Sequence, residues 1–232
     1  MASEIHALPA RTADCLKICY QLRERGERIT TNVVREQLQA KDPTGRISGS
    51  TVTHLFQWLG SYGYVHHTPY HGVELTEAGE KAAAELVRHH RLLELFLVRI
   101  MGFPLDQVDA EAEQMEHTLT EAFEERMDQL LGHPTEDPHG APIPNEMGTV
   151  HVPPTRLLSQ LEVGEQGMVH RVPDDDPERL RYLMTLGLVP GAWVCIESIT
   201  PYGDVYTLQI GESRQIVGKA IVNHILIRSA PA

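Results

Sequence analysis

Apolar positions in this chain recur first with a helical period, then in alternation, then helically again, and finally as short strand-like runs. Over residues 12–25, Leu16, Cys19, Tyr20 and Leu22 point to one face and Gly26 stops the helix. Thr30 or Thr31 caps a second helix, TTNVVREQLQ, and Asp42-Pro43-Thr44-Gly45 supplies the turn after it. Ser48-Gly49-Ser50 opens a third, whose Val52, Leu55, Phe56 and Leu59 fall at i, i+3, i+4 and i+7 and must face a core. Tyr64–His67 and Val73–Leu75 then flank Thr68–Gly72, which predicts a hairpin with a five-residue loop. Three helices followed by a hairpin predict a winged helix-turn-helix.

Beyond the hairpin, Leu92–Met101 is apolar almost all round, as in a helix buried on every side. Gly132 to Pro154 is rich in Pro, Gly and His without apolar period and predicts a linker. Strand-like runs follow at 167–172, 192–199, 205–210, 214–217 and 220–228. One helix interrupts them, with Asp176 as cap, Pro177 in the first turn and Gly187 as stop.

Length and composition narrow this picture. A chain of 232 residues exceeds the usual single domain, so two or three are expected. The longest apolar run is broken by Glu94 and Arg99, and no charged-then-apolar leader pattern opens the chain, which predicts no membrane span and a cytoplasmic protein. Three cysteines argue against a disulfide framework, and Cys15 and Cys19 read as small core residues. The net charge of −12 is concentrated between residues 91 and 140, leaving residues 1–60 as the part that tolerates a polyanion. In a winged domain the third helix enters the major groove, so Arg46, Ser48, Ser50, Thr51, Thr53, His54 and Gln57 are the candidate DNA contacts. No Lys or Arg occurs between Arg46 and Lys81, which predicts a shallow dependence of affinity on salt.

The candidate chemistry lies between His89 and His117. His90 and Glu94 stand at i,i+4, and Asp109, Glu113, Glu116 and His117 at successive spacings of four, three and one, which place them on common helix faces. Carboxylates so crowded repel one another unless solvated, protonated or bound to a cation. A divalent metal satisfies them; a solvated acidic helix is the plainer alternative.

The order of elements, together with Ser48–Thr53, Leu75-Thr76-Glu77-Ala78-Gly79, Arg88–Glu94 and the Glu116-His117 pair, resembles the diphtheria-toxin-repressor family of metal-dependent transcriptional regulators. The resemblance implies a mainly α fold with a small β part: a winged helix-turn-helix at 1–77, a helical dimerisation and metal-binding domain with linker at 78–150, and a C-terminal SH3-like, FeoA-type β-barrel at 151–232. It implies a homodimer on a palindromic operator in double-stranded DNA, with Asp14, His90, Glu94, Glu113, Glu116 and His117 as metal ligands. Asp14 and Glu113 stand where iron-responsive members carry methionine and cysteine, so the site resembles the manganese branch, and Mn2+ or Fe2+ is the implied cofactor. An oxygen and imidazole donor set without sulfur suits Mn2+. Lys17 stands where manganese-branch members often carry glutamate, and Asp109 where iron-branch members carry histidine. Members with the barrel complete an ancillary site around His90 and Glu94 from it, which implies Asp176 or Glu178 here.

Two other functions compete. A di-metal carboxylate enzyme would need Glu-x-x-His pairs on two helices, but Gln114 stands three before His117. A winged-helix regulator of an organic ligand would leave the acidic helix merely solvated, and metal-dependent operator binding separates it from the first reading.

Overall fold

The computed structural model describes residues 8–41, 46–68, 71–174 and 176–229. The chain divides into two compact units, one made of Met1–His90, Gln114–Glu125 and Pro144–Val150, the other of Arg91–Glu113, Arg126–Ile143 and His151–Ala232.

In the first unit, α1 (Ala10–Glu24) starts two residues before the expected position at Thr12. Pro9 provides the start, its carbonyl accepting from the amides of Thr12 and Ala13 at 2.8 and 3.1 Å. α1 buries Cys15, Leu16, Ile18, Cys19 and Leu22 completely, and Lys17 as well. α2 (Thr31–Lys41) is capped by Thr30, whose hydroxyl accepts from the Val33 amide at 3.4 Å; the expected turn at 42–45 lies outside the described residues. α3 (Gly49–Ser61) is capped by Ser48, which accepts from the Thr51 amide, and it buries Val52, Leu55, Phe56 and Leu59. Covering a side chain of that size is worth about 1.5–3 kcal/mol, so this stripe anchors the helix.

β1 (Val65–Thr68) and β2 (Gly72–Leu75) pair from Val65↔Leu75 to Thr68↔Gly72. The ladder therefore takes in both ends of the expected five-residue loop and leaves three residues between the strands, of which Pro69 and Tyr70 lie outside the described residues. α4 (Glu77–Arg99) opens on Thr76, whose hydroxyl donates to the Gly63 carbonyl at 2.6 Å and accepts from the Gly79 amide at 3.0 Å. A Cβ on Gly79 would stand 1.8 Å from the Tyr64 carbonyl oxygen, which is the steric reason for glycine in this Leu-Thr-x-x-Gly link.

Next in the chain come α5 (Val108–Met115), a 3-10 turn at Glu116–Thr118 and α6 (Glu121–Leu131). The stretch read as a linker is instead built into the fold: residues 139–144 are all buried, with Asp137 beside them. Side-chain donors make this possible, because Arg91 Nη1 reaches the Pro142 carbonyl at 2.6 Å and Arg88 Nη1 the Pro144 carbonyl at 3.0 Å. Apolar period is no guide to a segment whose polar backbone is satisfied by buried arginines.

The second unit ends in a six-stranded antiparallel sheet of order β3-β8-β4-β5-β6-β7. Its strands are β3 (Arg156–Leu157), β4 (Gln166–Arg171), β5 (Trp193–Ile199), β6 (Val205–Ile210), β7 (Ser213–Gly218) and β8 (Leu226–Ser229). α7 (Pro177–Leu186) and α8 (Lys219–Val222) join them, and Leu158, Val169, Leu183, Ile196, Leu208, Val222 and Ile227 fill the core. The run 220–228, expected as one strand, is split into α8 and β8, and the two-residue β3 carried no readable alternation. Among the described residues no helix is long and apolar enough to cross a membrane.

Candidate metal centre

Within the first unit, α1 and the 3-10 turn after α5 bring three of the expected ligands together. Asp14 Oδ1 lies 2.9 Å from His117 Nε2, and Glu116 Oε1 lies 3.8 Å from the same nitrogen. His117 follows Glu116 directly, so the tight turn, rather than helical spacing, aims both at α1. Glu116 is buried; one of its oxygens pairs with the Lys17 ammonium and the other accepts from His90 Nδ1 at 2.6 Å.

The electrostatics follow from this geometry. Burial raises the Glu116 pKa, but Lys17 and then His90 outweigh it and hold the carboxyl at about 2, so the group is ionised at neutral pH. The hydrogen bond to Asp14 raises the His117 pKa against the opposing effect of burial. A cation entering here must displace that proton, so its affinity grows with pH.

A second group of donors lies wholly in the other unit. Ligand atoms of Glu94, Asp137 and His139 all fall within 4.8 Å of one another, and all three residues are buried. Asp137 Oδ1 accepts from the amides of His139 and Ala141 at 2.8 and 2.9 Å, which folds the chain into a tight turn. The turn requires Gly140, with φ +91°, because a Cβ there would meet the His170 carbonyl oxygen at 1.9 Å. His139 Nε2 donates to the Leu105 carbonyl at 3.2 Å, leaving Nδ1 directed at Glu94 Oε1, 3.6 Å away. Asp137 Oδ2 and His139 Nδ1 are buried without a hydrogen-bond partner, and Arg91 Nε stands 3.7 Å from that oxygen. Orphaned oxygen and imidazole nitrogen atoms converging beside a second carboxylate fit a divalent cation.

Without a cation this cluster is frustrated. Burial and then the Glu94 charge push the Asp137 pKa from 3.8 up to about 6. Burial lowers the His139 pKa, but Glu94, Asp137 and Asp174 more than offset it and the net shift is upward. Because the folded Asp137 pKa exceeds the unfolded one, its contribution favours the folded state at low pH and is lost as pH rises through about 6. The metal-free Asp137→Asn variant is therefore expected to melt about 5 °C above the metal-free parent at pH 7.5, with the gap closing at pH 5. A gap that is equal at both pH values in scanning calorimetry would contradict this account.

The other expected site residues are placed as follows. His90 and Glu94 share a face of α4 by spacing but serve different groups, His90 bonding Glu116 and Glu94 joining Asp137 and His139. Asp109 and Glu113 stand one turn apart on α5, both half-buried. Asp176 is the N-cap of α7, its Oδ1 accepting from the Glu178 and Arg179 amides at 2.9 and 3.2 Å; it and Glu178 are exposed, and neither joins a group of converging donors among the described residues. The carboxylate of this segment that acts on the second group is Asp174. Asp176→Ala is expected to cost about 1 kcal/mol of stability in urea and to leave metal stoichiometry unchanged; a lost equivalent of metal would restore Asp176 as a ligand. Asp137 and His139 were missed from sequence, their only signal being an Asp-Pro-His-Gly turn beside the apolar Ala141–Pro144 stretch.

On α3, Ser50, His54 and Gln57 are exposed and Thr51 and Thr53 half-buried; Arg46 and Ser48, just before the helix, are exposed. Thr53 donates to the Gly49 carbonyl at 3.0 Å, and the Ser48 and Thr51 hydroxyls share a 2.8 Å contact.

Residues 76–145 match the model of the iron-dependent repressor metal-binding and dimerisation domain, and residues 156–229 that of the FeoA domain. The iron-dependent repressor IdeR of Mycobacterium tuberculosis is 31% identical over 202 residues, 82% of this chain and 84% of that one. The chain belongs to the diphtheria-toxin-repressor family of iron-dependent repressors. Among solved relatives, a manganese-dependent transcriptional repressor in complex with manganese superposes with a TM-score of 0.84 at 31% identity, covering 94% of this chain and all of that one. The manganese regulator SloR gives 0.75 at 28% identity, covering 94% and 98%. Family membership accounts for the order of the parts: a winged domain, the matched metal-binding region and an SH3-like FeoA domain after it.

Proposed function

We propose that this protein is a metal-dependent, DNA-binding transcriptional repressor of metal-homeostasis genes, with Mn2+ as its effector. The observation that carries the reading is that the Asp14, Glu116 and His117 cluster ties α1 of the winged domain to the turn after α5 inside one compact unit. A bound divalent ion supplies the positive charge that these donors share. Asp14 would contribute from α1, and Glu116 and His117 from the 3-10 turn. Joining these donors fixes α1, and with it the α3 face that carries Ser50, Thr51, His54 and Gln57. In a homodimer this holds two α3 helices about one DNA turn apart, the spacing of a palindromic operator.

The choice of ion rests on the donors. Carboxylates and imidazoles without sulfur suit Mn2+ and give later transition metals no added preference. Relatives carry both names, manganese-dependent and iron-dependent, so the ions need direct comparison. The protein acts by binding in the cytoplasm, where its DNA is, and turns over no substrate.

The test uses metal-free protein titrated separately with Mn2+, Fe2+ and Zn2+ against a duplex selected from a random library in the presence of Mn2+. Fluorescence anisotropy is expected to show operator binding only with metal, and with Mn2+ at concentrations where Zn2+ merely binds. Equal operator affinity with and without metal would refute the reading.

A further inference from the structure

Lys17 is the one group near the candidate centre whose position its chemistry does not explain at first sight. It lies on α1 between the apolar Leu16 and Ile18, three residues after Asp14 and on the same face, and none of it is exposed. An ammonium so deeply placed is costly unless paired, and it pairs with Glu116 Oε1. That same oxygen lies 3.8 Å from His117 Nε2, while Oε2 is taken up by His90. Lys17 and His90 therefore take one oxygen of Glu116 each, and the ammonium stands on the oxygen that faces His117.

We propose that Lys17 is a resident cation of this centre: its ammonium holds Glu116 Oε1 while His90 holds Oε2, so that the cluster of Asp14, Glu116 and His117 accepts one divalent ion and excludes a second. Charge supports the assignment. Asp14 and Glu116 bring two negative charges and Lys17 one positive, so a single divalent ion leaves these groups at +1 and a second would leave them at +3. The tether also fixes Glu116, because an ammonium on a buried helix cannot exchange with solvent as a free ion does. Lys17 is thus a residue that sets stoichiometry, without itself being a ligand. The proposal rests on the metal-centre reading above.

The experiment counts ions in the full-length dimer carrying His139→Ala, which removes a donor of the separate Glu94 and Asp137 group. Metal-free protein is titrated with Mn2+ alone, free Mn2+ is read by electron paramagnetic resonance, and the bound equivalents are checked by native mass spectrometry. With Lys17 present, one equivalent per chain is expected. Lys17→Glu is expected to take two, with the spin-coupled spectrum of neighbouring Mn2+ ions. Lys17→Gln, which keeps a hydrogen-bond donor and removes the charge, is expected to bind its first equivalent about tenfold more tightly. Two equivalents with Lys17 in place would overturn the proposal, as would an unchanged or weaker first equivalent in folded Lys17→Gln. The glutamine variant decides if Lys17→Glu fails to fold. One unaltered equivalent in every variant would remove the role of Lys17 alone, whereas no Mn2+ bound by any of them would remove the metal-centre reading with it.

Discussion

Replacing His117 by alanine is expected to abolish metal-dependent operator binding, by 100-fold or more in apparent affinity, while leaving a folded dimer. The residue is only half-buried and makes its 2.9 Å contact to Asp14 at the edge of the core, so its loss opens no large cavity. What it removes is the imidazole that links α1 to the following turn. A ligand that takes the binding-competent state from one part in a hundred to ninety-nine must favour that state about 10⁴-fold, or about 5.5 kcal/mol. With few donors sharing that difference, deleting one forfeits much of it. Asp14→Ala should act alike from the α1 side, because it severs the same link. Anisotropy titrations at saturating Mn2+, with size-exclusion chromatography as the control for the dimer, would check both. Metal-dependent operator binding that survives in either variant would show that the centre lies elsewhere.

The order of elements was legible because at least two signals agreed at each helix: an apolar stripe and a stop over α1, a cap and a following turn at α2, and a cap and an apolar stripe over α3. Val52, Leu55, Phe56 and Leu59 are all buried as their spacing requires. Where only one signal was present the reading slipped. The 220–228 run was read from its apolar content alone, although Asn223, which ends α8 before β8, stands in it. The first cluster was legible in part, since Glu116 and His117 are adjacent and Asp14 was implied by resemblance; Lys17 stood out only as a departure from the manganese branch, and its pairing with Glu116 is a tertiary fact. The second cluster was half hidden. Glu94 stood out, but its partners come from a stretch whose Pro, Gly and His content mimics a linker. A tight turn needs the same residues as a flexible one; what separates them is whether the backbone groups find buried partners, as Asp137 and Arg91 provide here, and that is a tertiary fact. Asp176 carried two readings, because a helix N-cap and a metal ligand are both carboxylates at the end of a loop, and the structure shows the cap.

His139→Ala is expected to remove one equivalent of bound metal per chain and leave the equivalent held by Asp14, Glu116 and His117 intact. His139 supplies the only nitrogen of its group, and its Nδ1 is a buried acceptor already aligned by the Nε2 bond to Leu105. Removing it leaves Glu94 and Asp137 as two carboxylates of like charge with no imidazole, and Asp137→Ala should remove the same equivalent from the other side. Asp174 acts on the group through its charge, so Asp174→Asn should weaken this equivalent by about tenfold without abolishing it. Titration calorimetry with Mn2+ on the parent and each variant separates the two centres, since each variant should lose or weaken one isotherm only. The effect on DNA binding follows from where the groups lie: the Glu94, Asp137 and His139 group is confined to the unit that does not contain α3, whereas Asp14 is on α1 of the winged domain itself. Operator affinity at saturating Mn2+ should therefore fall less than tenfold in His139→Ala, against 100-fold or more in His117→Ala. Two unchanged equivalents in His139→Ala, or operator binding lost as fully as with His117→Ala, would overturn the division of labour between the two groups.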